Sequence, residues 1–438
     1  MIFYSLFEAA NKILGIFIFA LYARVLGVEL FSAFSSTLII FGYFFELSFF
    51  SYQSKHLVDH ERVGDKYLTS DEFYCRTKVI LITSAIGATL FHLLQNSASP
   101  LDIAPLLGVF ACIPATFDFV AFNKKKSNYI VVARFLSQVV AVLILLIFYT
   151  QPIPRTEIFT VNFAQTLVLT GIVGGLLISS RDIRIKDVYR GLLASRTKPY
   201  EIFKELTEQA PVFLSKSATL LVITVELPLL MFYENESHKV FSVANRLALV
   251  ILPFVHFYLN RNVNKIYQEN TFRFFSINSL IAIPLIFASP AINHFILGSE
   301  YTNHTFTYNF FLINIGIQAV TSFTFMLSVK NGNSNKYLAG LALPIAFAIT
   351  SISILNLLGK LDLESLIAVF YIKNILIIFS TSGMRLSQTT ASAALILAAP
   401  VLNYFLFKIG YFGWFDNNIP KLQSFFLGIA QMPLNKFN

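Results

Sequence analysis

Charge and cysteine are scarce in this chain. Asp, Glu, Lys and Arg make up 13% of its 438 residues, where a soluble domain carries about 25%. With so few charges, the chain cannot cover a water-facing surface of this size. There are two cysteines, too few for a disulfide framework; Cys75 stands in a charged stretch and Cys112 in an apolar run. No Walker loop, dinucleotide fingerprint or cysteine pair at metal spacing occurs, which leaves no site for nucleotide-driven work or soluble redox chemistry. No cofactor is expected. GIVGG at 171–175 lies inside an apolar run, where small residues serve close helix packing. The net charge of +9 suggests nucleic acid at first sight, but the basic residues sit in short segments between apolar runs and form no basic domain. The start of the chain lacks a basic n-region and a small-residue cleavage site, so the first apolar segment is expected to stay as a helix.

What the chain has in abundance is apolar and aromatic surface. Hydrophobic residues make up 55%, with 47 Phe and 19 Tyr, and the mean hydropathy is +0.65. Apolar runs of about 20 residues, the length that crosses a bilayer, recur from end to end. They predict spans at 4–26, 30–52, 78–95, 103–122, 129–149, 157–179, 210–232, 240–259, 275–297, 306–329, 337–358, 364–382 and 390–408. A tail at 421–434 is either a fourteenth span or an interfacial helix. The fold class is an all-α polytopic membrane protein.

The loops predict its orientation. Lys55, Arg62 and Lys66 follow span two, Lys124 to Lys126 span four, and seven basic residues between Arg181 and Lys204 span six. Arg261, Lys265 and Arg273 follow span eight, Lys330 and Lys336 span ten, and Arg385 span twelve. The alternate loops offer Arg155, Lys239 and Lys360, with Arg24 at an edge. The positive-inside rule puts the N-terminus and the even loops in the cytoplasm. The basic stretch 181–208, read as a partly helical loop, divides the chain into a six-helix lobe at 1–180 and another at 209–384, with extra membrane segment at 385–438. Six is even, so a repeat between the lobes must be parallel, about an axis along the membrane normal. An offset of 210 places Phe31-Ser32 on Phe241-Ser242, Ser35 on Asn245, Ser36 on Arg246, Glu46 on His256 and Lys55 on Lys265.

Polar side chains inside the spans are the candidate functional residues, because an ionisable group at membrane depth costs about 2.5–3.5 kcal/mol on insertion scales. Ser5, Glu8, Lys12 and Gly15 share one helix face; Ser35, Gly42, Glu46 and Gln53 form a second stripe, interrupted by Ile39. Glu8 and Lys12 either serve a cavity or neutralise each other as an i, i+4 pair. Asp118 is placed to neutralise Arg134, which pairs along its helix with Gln138. Ser242, Asn245, Arg246 and His256 stripe span eight. Arg246 either lines a cavity or pairs with Glu226, which otherwise sits at the interface before Pro228. Asn314, Gln318 and Thr321 predict interhelical hydrogen bonds. Lys373, about nine residues from either end of its span, is too deep to snorkel easily. His92 and His294 are expected at the interface.

LYARVLGVE at 21–29, KVFSVANRLA at 239–248, ILGSEY at 296–301 and NGNSNKY at 331–337 carry a resemblance. In these motifs and in span number the chain resembles bacterial polysaccharide repeat-unit flippases of the Wzx type, in the multidrug/oligosaccharidyl-lipid/polysaccharide exporter superfamily. It departs from them in having Phe31-Ser32 where Tyr-Gly is frequent, and in extending past twelve helices. The resemblance implies two lobes around a central cavity, no enzymatic step, and transport by alternating access in the bacterial inner membrane. The implied substrate is an undecaprenyl-pyrophosphate-linked oligosaccharide whose tail stays in membrane lipid, with polysaccharide polymerase and chain-length proteins as partners. Lys12, Arg24, Arg134, Arg246, Lys373, Asn245 and His256 would then contact substrate, and Glu8, Glu46 and Asp118 would hold a coupling H+ or Na+. Two alternatives stand beside this: an ion-coupled multidrug exporter of the same superfamily, and an O-antigen polymerase or ligase. The short loops on the periplasmic side argue against the latter, since such enzymes usually carry a large periplasmic loop.

Overall fold

The computed structural model describes residues 2–49, 51, 70–94, 127–150, 169, 172, 198–233, 237–249, 267, 270–298, 301, 305–414 and 418. The expected spans at 103–122 and 157–179 lie outside these residues apart from Leu169 and Ile172, as does the tail at 421–434. The described residues are mostly helical and contain no strand. Seven of their helices are long and apolar enough to cross a membrane, and a bent pair makes an eighth when taken as one span. The protein is an all-α, multi-pass membrane architecture.

The first helix, α1 (Ile2–Phe49), holds the first two expected spans as two limbs joined at Gly27. Gly27 has φ 69° and ψ 175°, a left-handed φ that glycine adopts without a Cβ penalty. Next come α2 (Ser70–Leu94) and α3 (Ser127–Thr150). The α2 helix starts eight residues before the expected span, inside the charged stretch. The same occurs at α4 (Pro199–Thr224), which starts eleven residues before the expected span. Its first turn is preformed by Pro199 at N1 and by the Lys198 N–H donating to the Glu201 carboxylate at 3.0 Å, so a charged amphipathic end leads into an apolar span.

The seventh expected span breaks. After α4 the chain bends by 64° at Val225 into α5 (Glu226–Phe232). Pro228 explains the break, since it has no N–H for the Thr224 carbonyl and its ring crowds that oxygen. Then follow α6 (Ser237–Leu249), α7 (Thr271–Ile292) with a π-helical turn at Asn293–Leu297, α8 (Thr305–Phe311) and α9 (Asn314–Lys330). Thus the tenth span is also interrupted, at Leu312 and Ile313. The last three are α10 (Ser334–Leu357), α11 (Leu363–Thr381) and α12 (Leu386–Lys408).

Helix α9 is the centre of the second half and is buried along nearly its whole length. Its Gly316 lets α7 approach until a Cβ there would collide with Ser279. Gly340 of α10 likewise packs so close to α11 that a Cβ would stand 2.6 Å from the Ser380 carbonyl oxygen. Small residues at such crossings are how apolar helices gain contact when lipid supplies no hydrophobic force between them. By contrast, α10 and α12 expose Leu343, Ile354, Leu397 and Val401, the expected character of lipid-facing surfaces. The extra helix α12 belongs to the packed body. Asn403, fully buried, donates to the Phe306 carbonyl at 2.8 Å and accepts from Asn309 at 3.1 Å.

Candidate functional site

Two polar groups occupy the interior. The first is an ion pair. The break at Val225 turns Glu226 into the bundle, where its carboxylate lies 2.5 Å from the Lys373 ammonium of α11, and both side chains are 0% exposed. Glu226 is therefore not at the interface but inside the bundle. Its partner is the lysine that is too deep to reach water. The Lys373 ammonium also sits 5.1 Å from the centre of the Phe370 ring, a favourable cation–π position. Beside it, Asn374 is buried with neither amide atom hydrogen-bonded among the described residues. Thr224, at the break, donates to the Leu220 carbonyl and accepts from Tyr43 of α1 at 2.7 Å, which ties the bend to the first helix.

The second group is a cluster of carboxamides. Asn245 of α6 accepts from Asn314 at 2.7 Å and from Gln318 at 3.4 Å. These are the interhelical bonds expected of the α9 stripe. Asn314 opens α9 directly after the interruption at Leu312 and Ile313, so the break in the tenth span lies at the cluster. Asn245 Nδ2, Asn314 Oδ1 and Gln318 Oε1 are left without hydrogen-bond partners among the described residues. Just before this interruption, the Phe310 carbonyl of α8 accepts from Tyr371 of α11 at 2.7 Å.

The first half places its candidates differently. Lys12 and Arg134 are half-buried on α1 and α3, which pack along each other, with Asn11 donating to the Val131 carbonyl at 3.2 Å. A Cβ on Gly15 would meet open space, so the face Lys12 shares with Gly15 is uncrowded. Arg24 is exposed near the kink. Glu46 accepts from Ser51 and feels the charge of Lys216 of α4, whose ammonium lies 5.2 Å from the centre of the Phe325 ring. The side chains of Glu8 and Arg246 and the whole of Asp118 and His256 lie outside the described residues. Among the described side chains, the structure thus joins Lys373 to Glu226 and Asn245 to α9.

Sequence reasoning did not choose Glu226 as an interior group. The signal was present as complementarity: a lysine too deep to snorkel needs an acid at similar depth, and Glu226 stands in an apolar run. The two halves also meet directly. Ser32 of α1 lies 3.0 Å from Ser242 of α6, both 0% exposed. Ser242 Oγ also bonds to the Lys239 carbonyl of its own helix. One turn earlier, Lys239 pairs with Glu29 at 4.0 Å. Comparison with family models, with curated proteins and with solved structures finds no match to this chain.

Proposed function

We propose that this chain is an alternating-access flippase in the bacterial inner membrane. It would carry a polyprenyl-pyrophosphate-linked oligosaccharide from the cytoplasmic to the periplasmic leaflet, with its N-terminus cytoplasmic and a proton or sodium gradient as the energy source. Two six-helix lobes, repeated in parallel, move against each other in this reading. The observation that carries it is the contact between the halves. Ser32 and Ser242 are 210 residues apart, the same offset at which the two halves align in sequence. A two-fold axis makes equivalent residues near it touch each other, so a buried contact at the repeat offset is what a parallel two-lobe carrier requires. The Glu29–Lys239 pair has the same offset, and follows from the first because the two helices run in the same direction there.

The interior fits a polar cargo. Buried charges and carboxamides inside apolar helices are costly and mark transport pathways, and two of the spans are interrupted beside them, as in carriers whose broken helices line a binding site. The substrate class comes from the resemblance at 21–29, 239–248, 296–301 and 331–337. A pyrophosphate with several sugars cannot cross about 30 Å of hydrocarbon unaided; a cavity that replaces its hydration removes the barrier without covalent chemistry.

Reconstitution tests this. Vesicles loaded with a fluorescent undecaprenyl-pyrophosphate oligosaccharide in the inner leaflet should expose it to an external sugar-binding quencher faster when the protein is present. Arg246→Ala and Lys12→Ala should abolish the gain without loss of incorporated protein. No acceleration over empty vesicles overturns the substrate, and acceleration of a cationic dye instead identifies an exporter.

A further inference from the structure

We propose that Glu29, Ser32, Lys239, Ser242 and Tyr301 form a gate that closes the interior at the end where the first and seventh loops lie. The placement of that end outside the cell rests on the flippase reading and its orientation; the gate itself rests on the contacts.

Four contacts between the halves gather at this end. Glu29 meets Lys239 and Ser32 meets Ser242. Tyr301, in the turn after α7, donates to the Ala23 carbonyl at 3.1 Å. Its ring stands edge-on to Phe31, with centres 6.1 Å apart. Gly27 puts the α1 bend between Ala23 and Phe31, so Tyr301 holds both limbs of the hairpin from the other half. Phe31 and Tyr301 are each 1% exposed, so both rings are closed off from solvent.

One turn further in, the character changes. Ser35 and Asn245, again 210 apart, are both buried. The Ser35 hydroxyl and the Asn245 amide nitrogen have no hydrogen-bond partner among the described residues. The contacts at 29–32 and 239–242 thus stand directly outside polar groups that have no partner among the described residues. A seal there shields the polar interior, and its opening would let water and cargo reach Ser35 and Asn245.

The seal is also weak enough to cycle. Its outer pair is long and exposed on the Glu29 side, and its inner bond joins two neutral hydroxyls. Loss of an exposed ion pair shifts a two-state equilibrium by about fivefold at most. A ligand that binds only the open state can overcome an imbalance of that size.

The test uses full-length protein in its own membrane, with Cys75→Ser and Cys112→Ser to remove the native thiols. In that background Ser35→Cys should resist an impermeant thiol reagent added outside the cells. Adding Glu29→Lys, which sets like charges against each other, should raise its labelling rate about fivefold or more. Glu29→Lys with Lys239→Glu should return it to the starting rate, and that rescue also shows that the fold tolerates the changes. Separately, Ser32→Cys with Ser242→Cys should cross-link under mild oxidant, and the cross-linked form should keep Ser35→Cys closed to external label even when Glu29→Lys is present. Failure of the serine-derived cysteines to cross-link overturns the contact. A Ser35→Cys labelling rate that ignores both charge changes overturns the gate and leaves a static joint, and labelling only from the cytoplasmic side overturns its assignment to the outer face. None of these readouts involves sugar. A gate that passes them beside vesicles that move no lipid-linked oligosaccharide would stand while the substrate reading fell.

Discussion

Removing the charge of Lys373 should do more damage than almost any other single change in this protein. The ammonium and the Glu226 carboxylate lie 2.5 Å apart with both side chains 0% exposed. Lys373→Met leaves a buried carboxylate with no cation facing it among the described residues, and Glu226→Gln leaves the ammonium with the Phe370 ring as its described neighbour. Breaking one side of a buried pair costs about 3–5 kcal/mol. Replacing both together removes the two desolvated charges, and such exchanges are often neutral or stabilising by about 1–4 kcal/mol. The double variant Glu226→Gln/Lys373→Met should therefore lie within about 1 kcal/mol of wild type, with a coupling energy of roughly 3 kcal/mol or more between the sites. The assay is the fraction of monodisperse protein remaining after a temperature or SDS titration in mild detergent, alongside the amount inserted in membranes. Two single variants that each cost less than about 1 kcal/mol and add without coupling would refute the reasoning. The same double variant separates two roles of Lys373: a stable protein that still exports polymer would mean that the lysine serves the fold and is not needed by the cargo.

Three further outcomes follow from other parts of the fold. Asp362 caps α11 by accepting from the Ser365 N–H at 2.8 Å, and this bond holds its carboxyl below the usual value of 3.8. Its contribution is therefore complete above that value and is lost as pH falls through the lowered one, so amide exchange at Leu363–Leu366 should quicken in acid for wild type and lose that pH dependence in Asp362→Asn. Gly340→Ala should cost about 1–3 kcal/mol of detergent stability, since the added methyl stands 2.6 Å from a backbone oxygen and α10 and α11 must part; a neutral result would mean the crossing is looser than described. In cysteine mapping on intact cells, Lys198→Cys and Asn333→Cys should be shielded from impermeant reagents while Ser237→Cys and Ser365→Cys label, and external labelling at position 198 would invert the orientation.

Much of the fold was legible because a bilayer imposes one length and one charge rule on every span. The limits of α3, α10 and α11 follow from apolar run length alone, as does the hairpin at Gly27. Less legible were the starts of α2 and α4, where charged residues read as loop belong to a helix that continues into the apolar run; at α4, Glu201, Lys204 and Glu208 are exposed. Proline at 228 marked a boundary in the sequence; in three dimensions it bends the chain by 64° and redirects Glu226. Pairing across helices was hidden for a more general reason. Periodicity tells which residues share a face, and not which helix that face meets. Lys373 announced its need for a partner by its depth, while the identity of that partner depended on α5 and α11 being neighbours. The Ser32–Ser242 contact was hidden for the same reason: an offset of 210 aligns the two residues in sequence without saying that they touch.

The most direct measurement of the central claim is the fate of lipid-linked sugar in cells that lack the protein. Deletion should cause undecaprenyl-linked repeat units to accumulate facing the cytoplasm, seen as carrier lipid protected from periplasmic enzymes, while surface polymer disappears. Single repeat units reaching the periplasm and being ligated there in the deletion strain would contradict the account, because the step lost would then be polymerisation and not passage across the membrane.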